Sequence, residues 1–416
     1  MRINVNIKSK SNSEFLTKQS KVDFYEKFLS TTQNANYGFF NLTQESSHIE
    51  SSKRVYEKFK ARRNFVQIGI GGSALGPQML IDALGKKNDK NFIFLDNTDS
   101  EDIFHKLSEI DLKDSLFYIV SKSGGTAETI ASFIICYNKL LDLGLTEDEM
   151  KNYFVFSTDP KSGELRELAN THGFDTLEIP SNVGGRFSVL TSVGLLPALF
   201  AQIDIDQLFA GANSKRDEIL KSKESSDLIE LASALKCLYD QGIDQTILMP
   251  YSSKLKSLSH WFVQLWGESL GKNDTKGVAQ GLTPIPAYGA TDQHSQMQLF
   301  MEGKNDKVLI LLEVEKRKSN YKLANNLSLN SAKKLSNFDL NSLISAQLKG
   351  TLQALSDRDR NTVHIQIEEN NEFAMGQMII YFESLTVLMG SYLEVDPFNQ
   401  PGVELGKKYA FEYLNS

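Results

Sequence analysis

Short apolar runs alternate with helical stretches along most of this chain. In the first half, four runs typical of buried strands each lead into a stretch with the apolar spacing of a helix. They are NFVQIGI into PQMLIDALG, FIFLD into DIFHKLSEI, LFYIV into AETIASFIICYNKLL, and NYFVF into ELRELANTHG. Strands joined through helices lie parallel in one sheet, and the helices cover both faces of that sheet. The alternation therefore predicts a parallel α/β fold.

A second alternating series occupies the later part of the chain. It reads QTILMP into KLKSLSHWFVQLWGESLG, then KVLILLEV, then TVHIQIE into EFAMGQMIIYFESLTVLMGSYL. Residues 201–230 are polar and helical and look like the joint between the two series, while residues 13–62 carry the apolar spacing of a helical cap. At 416 residues the chain is also too long for one ordinary core.

We therefore predict two doubly wound α/β domains, each an αβα sandwich around a parallel sheet, with helical extensions at both ends. The predicted boundaries are 1–60 for an N-terminal helical extension, 61–200 for the first α/β domain, 201–385 for the second, and 386–416 for a C-terminal segment that completes the active site.

Charge and composition argue against several kinds of partner. The formal net charge is −7, whereas nucleic-acid binders cluster Lys and Arg against phosphate. No stretch reaches the ~18 apolar residues of a membrane span, and the N-terminus lacks the apolar core of a signal peptide. Cys136 and Cys237 each lie in apolar helical text, as reduced, buried thiols do. These features predict a cytoplasmic protein that binds neither nucleic acid nor membrane.

Two glycine-rich turns follow predicted strands. The first, IGIGGSALGP at 68–77, leads into a helix, and its backbone amides can face an anion at the helix N-terminus. The same stretch fits a dinucleotide pattern through Gly69, Gly71 and Ala74, with Asp96 closing the next strand. Taken alone, this turn leaves both a phosphate site and a nicotinamide cofactor site open.

The second turn, SKSGGTAET at 121–129, favours phosphate. Hydroxyls of Ser121, Ser123 and Thr126 flank two glycine amides, and such a dense set of donors suits a compact anion better than an extended cofactor. The alternative is structural: in that interpretation the same hydroxyls only cap the helix that begins near Thr126.

Two charged residues in helical contexts have the types expected of acid–base chemistry. Arg186 follows two glycines in SNVGGRFSVLTSVGLLP, where a guanidinium can balance a developing oxyanion. Glu268 shares a helix face with His260 and Gln264 at four-residue spacing and lies near Trp266, which can raise the pKa of a carboxyl group by desolvation. Each residue could instead be an ordinary solvated charge at a helix end.

Two further candidates lie in later motifs. His294 follows Asp292 in GATDQHSQMQLFMEG, where a lone histidine is often structural. Lys407 follows Gln400 in FNQPGVELGKK, where a C-terminal lysine is ordinarily a solvated charge. Read singly, neither motif indicates a reaction.

Taken together, six segments resemble the phosphoglucose isomerase family. They are GIGGSALGP, SKSGGTAET, NVGGRFSVLTSVGLLP, ESLGK, GATDQHSQMQLF and NQPGVELGKK, which occur in the family's order across residues 69–408. The resemblance implies two sugar-isomerase (SIS) domains. It also implies an aldose–ketose isomerase that interconverts glucose 6-phosphate and fructose 6-phosphate by ring opening and proton transfer between C1 and C2 through an enediolate.

The resemblance assigns roles to individual residues. Glu268 is the implied base, His294 and Lys407 the groups that open the ring, and Arg186 the cation that stabilises the enediolate. The implied substrate-binding residues are Gly72, Ser73, Ser121, Lys122, Ser123, Thr126, Gly185, Gln264 and Gln400. The family's homodimer implies that His294 reaches into the partner's site. No cofactor and no metal are expected, and the six histidines are scattered without metal-ligand spacing.

The sequence departs from the family pattern at a few positions. Gly124 and Gly125 stand where animal members carry a bulkier pair, Ala127 replaces a polar residue, and Pro401 replaces an aromatic one. These changes concern contacts around the substrate rather than the chemistry. Two other functions stay open on sequence alone: a non-catalytic sugar-phosphate-binding SIS module, and an NAD-dependent dehydrogenase that uses residues 68–96.

Overall fold

The computed structural model describes residues 1–7, 18–34, 36–323 and 328–416. Within them, the strands form two five-stranded sheets and one short hairpin. The strands are β1 (Arg2–Asn6), β2 (Asn64–Ile68), β3 (Asn91–Leu95), β4 (Ser115–Val120), β5 (Phe154–Thr158), β6 (Asp175–Glu178), β7 (Gln245–Pro250), β8 (Lys272–Asn273), β9 (Ala279–Gln280), β10 (Thr283–Pro286), β11 (Lys307–Lys316) and β12 (Asn361–Glu369). The helices are α1 (Lys18–Thr32), α2 (Ser47–Phe59), α3 (Leu75–Leu84), α4 (Ser100–Ser108), α5 (Ala127–Asp142), α6 (Glu164–His172), α7 (Ser192–Phe200), α8 (Ile205–Ser222), α9 (Asp227–Tyr239), α10 (Lys256–Leu270), α11 (Met297–Glu302), α12 (Asn330–Leu335), α13 (Leu340–Asp357), α14 (Glu372–Tyr392) and α15 (Glu404–Leu414).

The first sheet confirms the predicted parallel α/β architecture. Its strand order is β3-β2-β4-β5-β6, and every neighbouring pair is parallel. The strands β2 to β5 are the four that the sequence predicts. All six residues of the central strand β4 are buried, because apolar clusters lie against both faces of the sheet. The edge strand β6 was not predicted, since its sequence DTLE offers no apolar run.

The second sheet has the order β1-β12-β11-β7-β10. The strands β12, β11, β7 and β10 are parallel, whereas β1 pairs antiparallel with β12 at the edge. This N-terminal region was predicted to be a helical extension. The strand β1 escaped prediction because RINVN is mostly exposed and so lacks a buried strand's apolar run. The strand β10 reads TPIP, and its prolines are tolerated because it also lies at an edge.

The stretch 201–230, predicted as a polar joint, contains α8, which packs in the main core instead. A Cβ atom on Gly211 would lie 1.9 Å from the backbone oxygen of Phe373, and one on Gly376 would lie 1.9 Å from that of Leu208. Glycine at both positions therefore lets α8 and α14 approach backbone to backbone. The proposed domain boundaries at residues 60, 200 and 385 stay predictions.

The helix α14 runs through the centre of the protein. By length and composition it could cross a membrane, but 94% of its most apolar window is buried inside the protein. Its Tyr381 and Phe382 are fully enclosed. This burial is that of a core helix, which is apolar all round because protein surrounds it on every side.

The helix α15, by contrast, lies wholly on the surface. Every residue from 399 to 416 is exposed, including the large apolar side chains of Leu405, Tyr409, Phe411 and Tyr413. A folded chain rarely leaves so many neighbouring apolar side chains in water, so this helix is a candidate contact surface.

Candidate active site

Three loops of the first sheet come together at its carboxyl edge. They are the turn Gly71–Ser73 after β2, residues 121–126 after β4, and the turn Gly185–Phe187 that follows β6. Parallel strands place such loops at one edge, where ligands of α/β folds bind. Gly72 joins two of the loops, because a Cβ atom there would lie 2.2 Å from the carbonyl group of Gly185. The predicted substrate-binding residues of these two turns are therefore neighbours.

The hydroxyl groups predicted to bind phosphate form a cluster. The Oγ atom of Ser121 lies 2.9 Å from Oγ1 of Thr126 and 3.5 Å from Oγ of Ser123. The helix α5 begins at the next residue, Ala127, with Thr126 as its N-cap, and no side-chain capping bond is made there. The amides of Gly124 and Gly125 donate to the hydroxyls of Ser121, at 3.2 Å, and Ser123, at 3.4 Å, so the hydroxyls gather just before the helix begins. This arrangement can hold a tetrahedral anion.

The side chain of Lys122 does not join that cluster. Its Nζ atom donates to the carbonyl oxygens of Ser181, at 2.7 Å, and Val183, at 2.9 Å. Burial lowers the pKa of Lys122, and the nearby Asp159 carboxylate opposes that effect. The Lys122 side chain thus holds the loop that leads to Arg186. The backbone amide of Lys122 is the part of this residue that remains available near the hydroxyls.

The guanidinium of Arg186 lies at the centre of the site. Its side chain is only 2% exposed, and burial lowers its pKa while the Glu268 and Asp396 carboxylates raise it. An arginine remains charged even so.

The guanidinium of Arg186 has partners on three sides. The Nε atom donates to Oγ of Ser269 at 2.7 Å, and one terminal nitrogen donates to the carbonyls of Pro397, at 2.5 Å, and Asn399, at 3.0 Å. The other terminal nitrogen lies 2.9 Å from Oε1 of Glu268 and 3.3 Å from Oε1 of Gln400.

Glu268 lies near the end of α10 with its carboxylate between two partners. One oxygen pairs with Arg186, and the other accepts a hydrogen bond of 3.0 Å from Nε2 of Gln264, one helical turn earlier. The side chain of Glu268 is 26% exposed, so a ligand can reach it. The first glycine turn passes close by, since a Cβ atom on Gly71 would lie 2.9 Å from Nε2 of Gln264. The structure thus joins Arg186, Glu268, Gln264, Gln400 and the glycine turn in one cluster.

The two predicted ring-opening residues lie outside that cluster. His294 ends the short turn Thr291–His294 and is exposed. Lys407 is exposed on α15 and pairs with Glu404 at 2.8 Å. Within the described part of the chain, neither makes a hydrogen bond or ion pair with Arg186 or Glu268.

Sequence reasoning missed several contacts of Arg186. Ser269 was overlooked although it stands next to the predicted base, and the helical position alone could have indicated it. The carbonyls of residues 397 and 399 could not be found in this way, because every residue type has a carbonyl group. Lys272 was quoted within ESLGK but given no role, and its amine donates to the carbonyl of Asn399 at 2.5 Å.

The fold is similar to that of solved sugar-isomerase α/β proteins. A tagatose-6-phosphate ketose/aldose isomerase from Escherichia coli superposes with a TM-score of 0.54 at 14% identity, covering 90% of this chain and 95% of that one. At that identity the likeness shows the fold alone. A hypothetical protein from Thermus thermophilus superposes with a TM-score of 0.92 at 33% identity over 100% of both chains.

Sequence comparison then identifies the family. The phosphoglucose isomerase family model matches residues 30–416. A glucose-6-phosphate isomerase from Carboxydothermus hydrogenoformans is 37% identical over 95% of this chain and 90% of its own length. This chain belongs to the phosphoglucose isomerase family.

Proposed function

We propose that the chain catalyses the reversible isomerisation of glucose 6-phosphate and fructose 6-phosphate, an aldose–ketose interconversion of glycolysis and gluconeogenesis. Family membership and the name of the Carboxydothermus relative support this reaction. One observation carries the chemistry: the 2.9 Å pair between the Arg186 guanidinium and the Glu268 carboxylate. It places a proton acceptor beside a permanent positive charge, as proton abstraction next to a carbonyl requires.

Ring opening comes first, and we assign it to His294 and Lys407. One group takes the proton of O1 while the other delivers a proton to the ring oxygen O5. The bond between C1 and O5 then breaks, and C1 becomes a carbonyl carbon. Histidine and lysine are side chains that can exchange protons in this way near neutral pH once their surroundings tune them.

Glu268 then takes the proton of C2. The electrons of that C–H bond form a double bond between C1 and C2, and the carbonyl electrons move onto O1 to give an enediolate. Arg186 balances this charge from a buried position, where a fixed cation is most effective. Glu268 returns its proton to C1 as the O2 proton passes to O1, which completes the ketose.

We assign the phosphate to the hydroxyl cluster, with the amide of Lys122 beside it. The residues proposed to line the sugar are Gly72, Ser73, Gly185, Gln264 and Gln400. The decisive experiment incubates purified protein with fructose 6-phosphate in EDTA without nucleotide and measures glucose 6-phosphate. We expect conversion. Binding without conversion would indicate a sugar-phosphate-binding module, and a need for NAD would indicate the dehydrogenase.

We further propose that the protein acts as a homodimer in which His294 enters the partner's site. Two features support this assembly. His294 is exposed and lacks a bond to the Arg186–Glu268 pair of its own chain in the described residues. The apolar side chains of α15, including Tyr409 and Phe411, are exposed in the single chain and need a surface to cover them.

We place the protein in the cytoplasm, without a nucleic-acid or membrane partner. Cys136 and Cys237 are not joined in a disulfide. Burial raises the pKa of the Cys136 thiol to about 12, which keeps it protonated and inert. Reduced thiols suit a reducing compartment, and the net charge of −7 disfavours contact with nucleic-acid or membrane phosphates.

The hydroxyl cluster can be tested by replacing two of its donors. A Ser123→Ala, Thr126→Ala double variant should weaken hexose-phosphate binding by about 10²-fold, since each of the two lost donors to an anion costs about 1.5 kcal/mol or more. Affinity for free glucose should stay unchanged, because glucose carries no phosphate. Titration calorimetry with both ligands measures the difference. Replacing Ser108 and Thr171, which are exposed on α4 and α6, by alanine is the matched control. Equal losses for both ligands would make the cluster structural.

A further inference from the structure

A segment of four residues between α14 and α15, Asp396–Asn399, crosses over Arg186; we call it the strap. The strap connects the central helix to Gln400 and then to α15. One terminal nitrogen of Arg186 donates to two of its carbonyl oxygens, at 2.5 Å to Pro397 and 3.0 Å to Asn399. The conformation of the strap therefore determines where the side-chain amide group of Gln400 lies.

Lys272 holds the strap from the other side. It follows the end of α10 by two residues and begins the hairpin strand β8. Its Nζ atom donates to the carbonyl of Asn399 at 2.5 Å and to the carbonyl of Asp396. Arg186 and Lys272 thus share the carbonyl of Asn399, the residue immediately before Gln400.

We propose that Lys272 is a positioning residue for this reaction: by binding the strap, it fixes Gln400 beside Arg186 and Glu268. This inference rests on the proposed isomerase function. The Lys272 amine donates to backbone carbonyls of the strap. It acts through the backbone of the strap, and the side chain that depends on it is Gln400, whose Oε1 atom accepts from Arg186 at 3.3 Å.

The charges around Lys272 are consistent with this role. Burial and the neighbouring Arg186 cation lower its pKa to about 8, while the Asp396 and Glu268 carboxylates oppose the shift. The amine is therefore still charged at pH 7. Partial burial of a charged amine costs free energy. In return, the amine supplies N–H donors to the strap carbonyls, which an apolar side chain lacks.

Lys272 shares the attachment of the strap with Arg186, so its loss should affect the position of the strap more than the fold. If Lys272 is replaced, the strap should keep its bonds to Arg186 and the stacking of Phe398 on Tyr37, and lose only the hydrogen bonds from the amine. The expected consequence is a displacement of Gln400 rather than unfolding. Displacement by about 1 Å of a group that orients the substrate can cost on the order of 10²-fold in rate.

The experiment is a double-mutant cycle between Lys272 and Gln400, measured as kcat and KM for fructose 6-phosphate. We expect Lys272→Met to lower kcat/KM by about 10-fold or more, and Lys272→Arg, which keeps charge and donors, to recover most of the loss. In a Gln400→Ala background, Lys272→Met should have little further effect, because both changes remove the same contact. Lys276→Met is the matched control, since the Lys276 side chain is exposed in the same hairpin and pairs with Glu394 at 3.5 Å.

Three results would overturn the proposal: full activity of Lys272→Met, an unchanged loss in the Gln400→Ala background, or failure of Lys272→Arg to recover activity. If Lys272→Met does not fold, Lys272→Gln takes its place in the cycle and must show the same dependence on Gln400. An inactive wild-type protein would instead refute the isomerase function, so the two failures are distinguishable.

Discussion

Replacing Glu268 by glutamine should lower kcat by at least about 10²-fold, because the variant keeps the shape of the side chain but has no proton acceptor. Binding of fructose 6-phosphate should change only a few-fold, since the hydroxyl cluster proposed to hold the phosphate lies on a different loop. The measurement is steady-state turnover combined with calorimetric affinity. This split between rate and affinity is what distinguishes a base from a binding residue.

The matched control is Glu109→Gln, which removes an exposed carboxylate that pairs with His105 on the protein surface. It should leave both kcat and affinity unchanged. Turnover of Glu268→Gln within a few-fold of wild type would refute the assignment of Glu268 as the base. A loss of binding as large as the loss of rate would instead make its contact with Arg186 the important one.

Mixing two inactive variants should restore activity if the site is shared between subunits. In a homodimer with His294 donated across the interface, Glu268→Gln and His294→Ala proteins each carry one defect in every site. Unfolding and refolding them together at equal amounts makes about half the dimers mixed. Each mixed dimer has one site with both defects and one site with none, so activity should rise from near zero to roughly a quarter of wild type.

Each parent refolded alone under the same protocol provides the baseline, and size-exclusion chromatography establishes that dimers have formed. A refolded mixture that is dimeric yet as inactive as its parents would place Glu268 and His294 in the site of the same chain. A mixture that stays monomeric would refute the homodimer itself.

The sequence predicted those parts of the fold whose burial leaves an apolar pattern. The strand β4 was found because helices cover both its faces and all its residues are buried. The strands β1 and β10 lie at a sheet edge and carry exposed residues or prolines, so the same pattern is absent. The helix α8 was taken for a joint because its polar face dominates its composition, whereas its packing depends on Gly211, a residue without a side chain.

In the candidate site, too, only the contacts that follow from a local sequence pattern could be predicted. The pairing of Gln264 with Glu268 could be predicted because helical periodicity places residues four apart on one face. The contact of Arg186 with Glu268 was not predicted as a contact. The two residues were only assigned to the same reaction, because helical periodicity relates residues a few positions apart and not residues in distant motifs. The backbone carbonyls of the strap could not be predicted at all, because hydrogen bonding to a carbonyl leaves no trace in residue identity.

The distance along the chain between Arg186 and its partners has a consequence for synthesis. Gln400 lies 214 residues after Arg186, and the carbonyl of Pro397 lies 211 residues after it. On the ribosome, the guanidinium therefore emerges long before the groups that satisfy it. A nascent chain that stops before the strap leaves Arg186 without three of the five acceptors described above, and we expect the unsatisfied guanidinium to destabilise that product. The hydrogen bonding of Arg186 is thus completed only after the strap and Gln400 have been made.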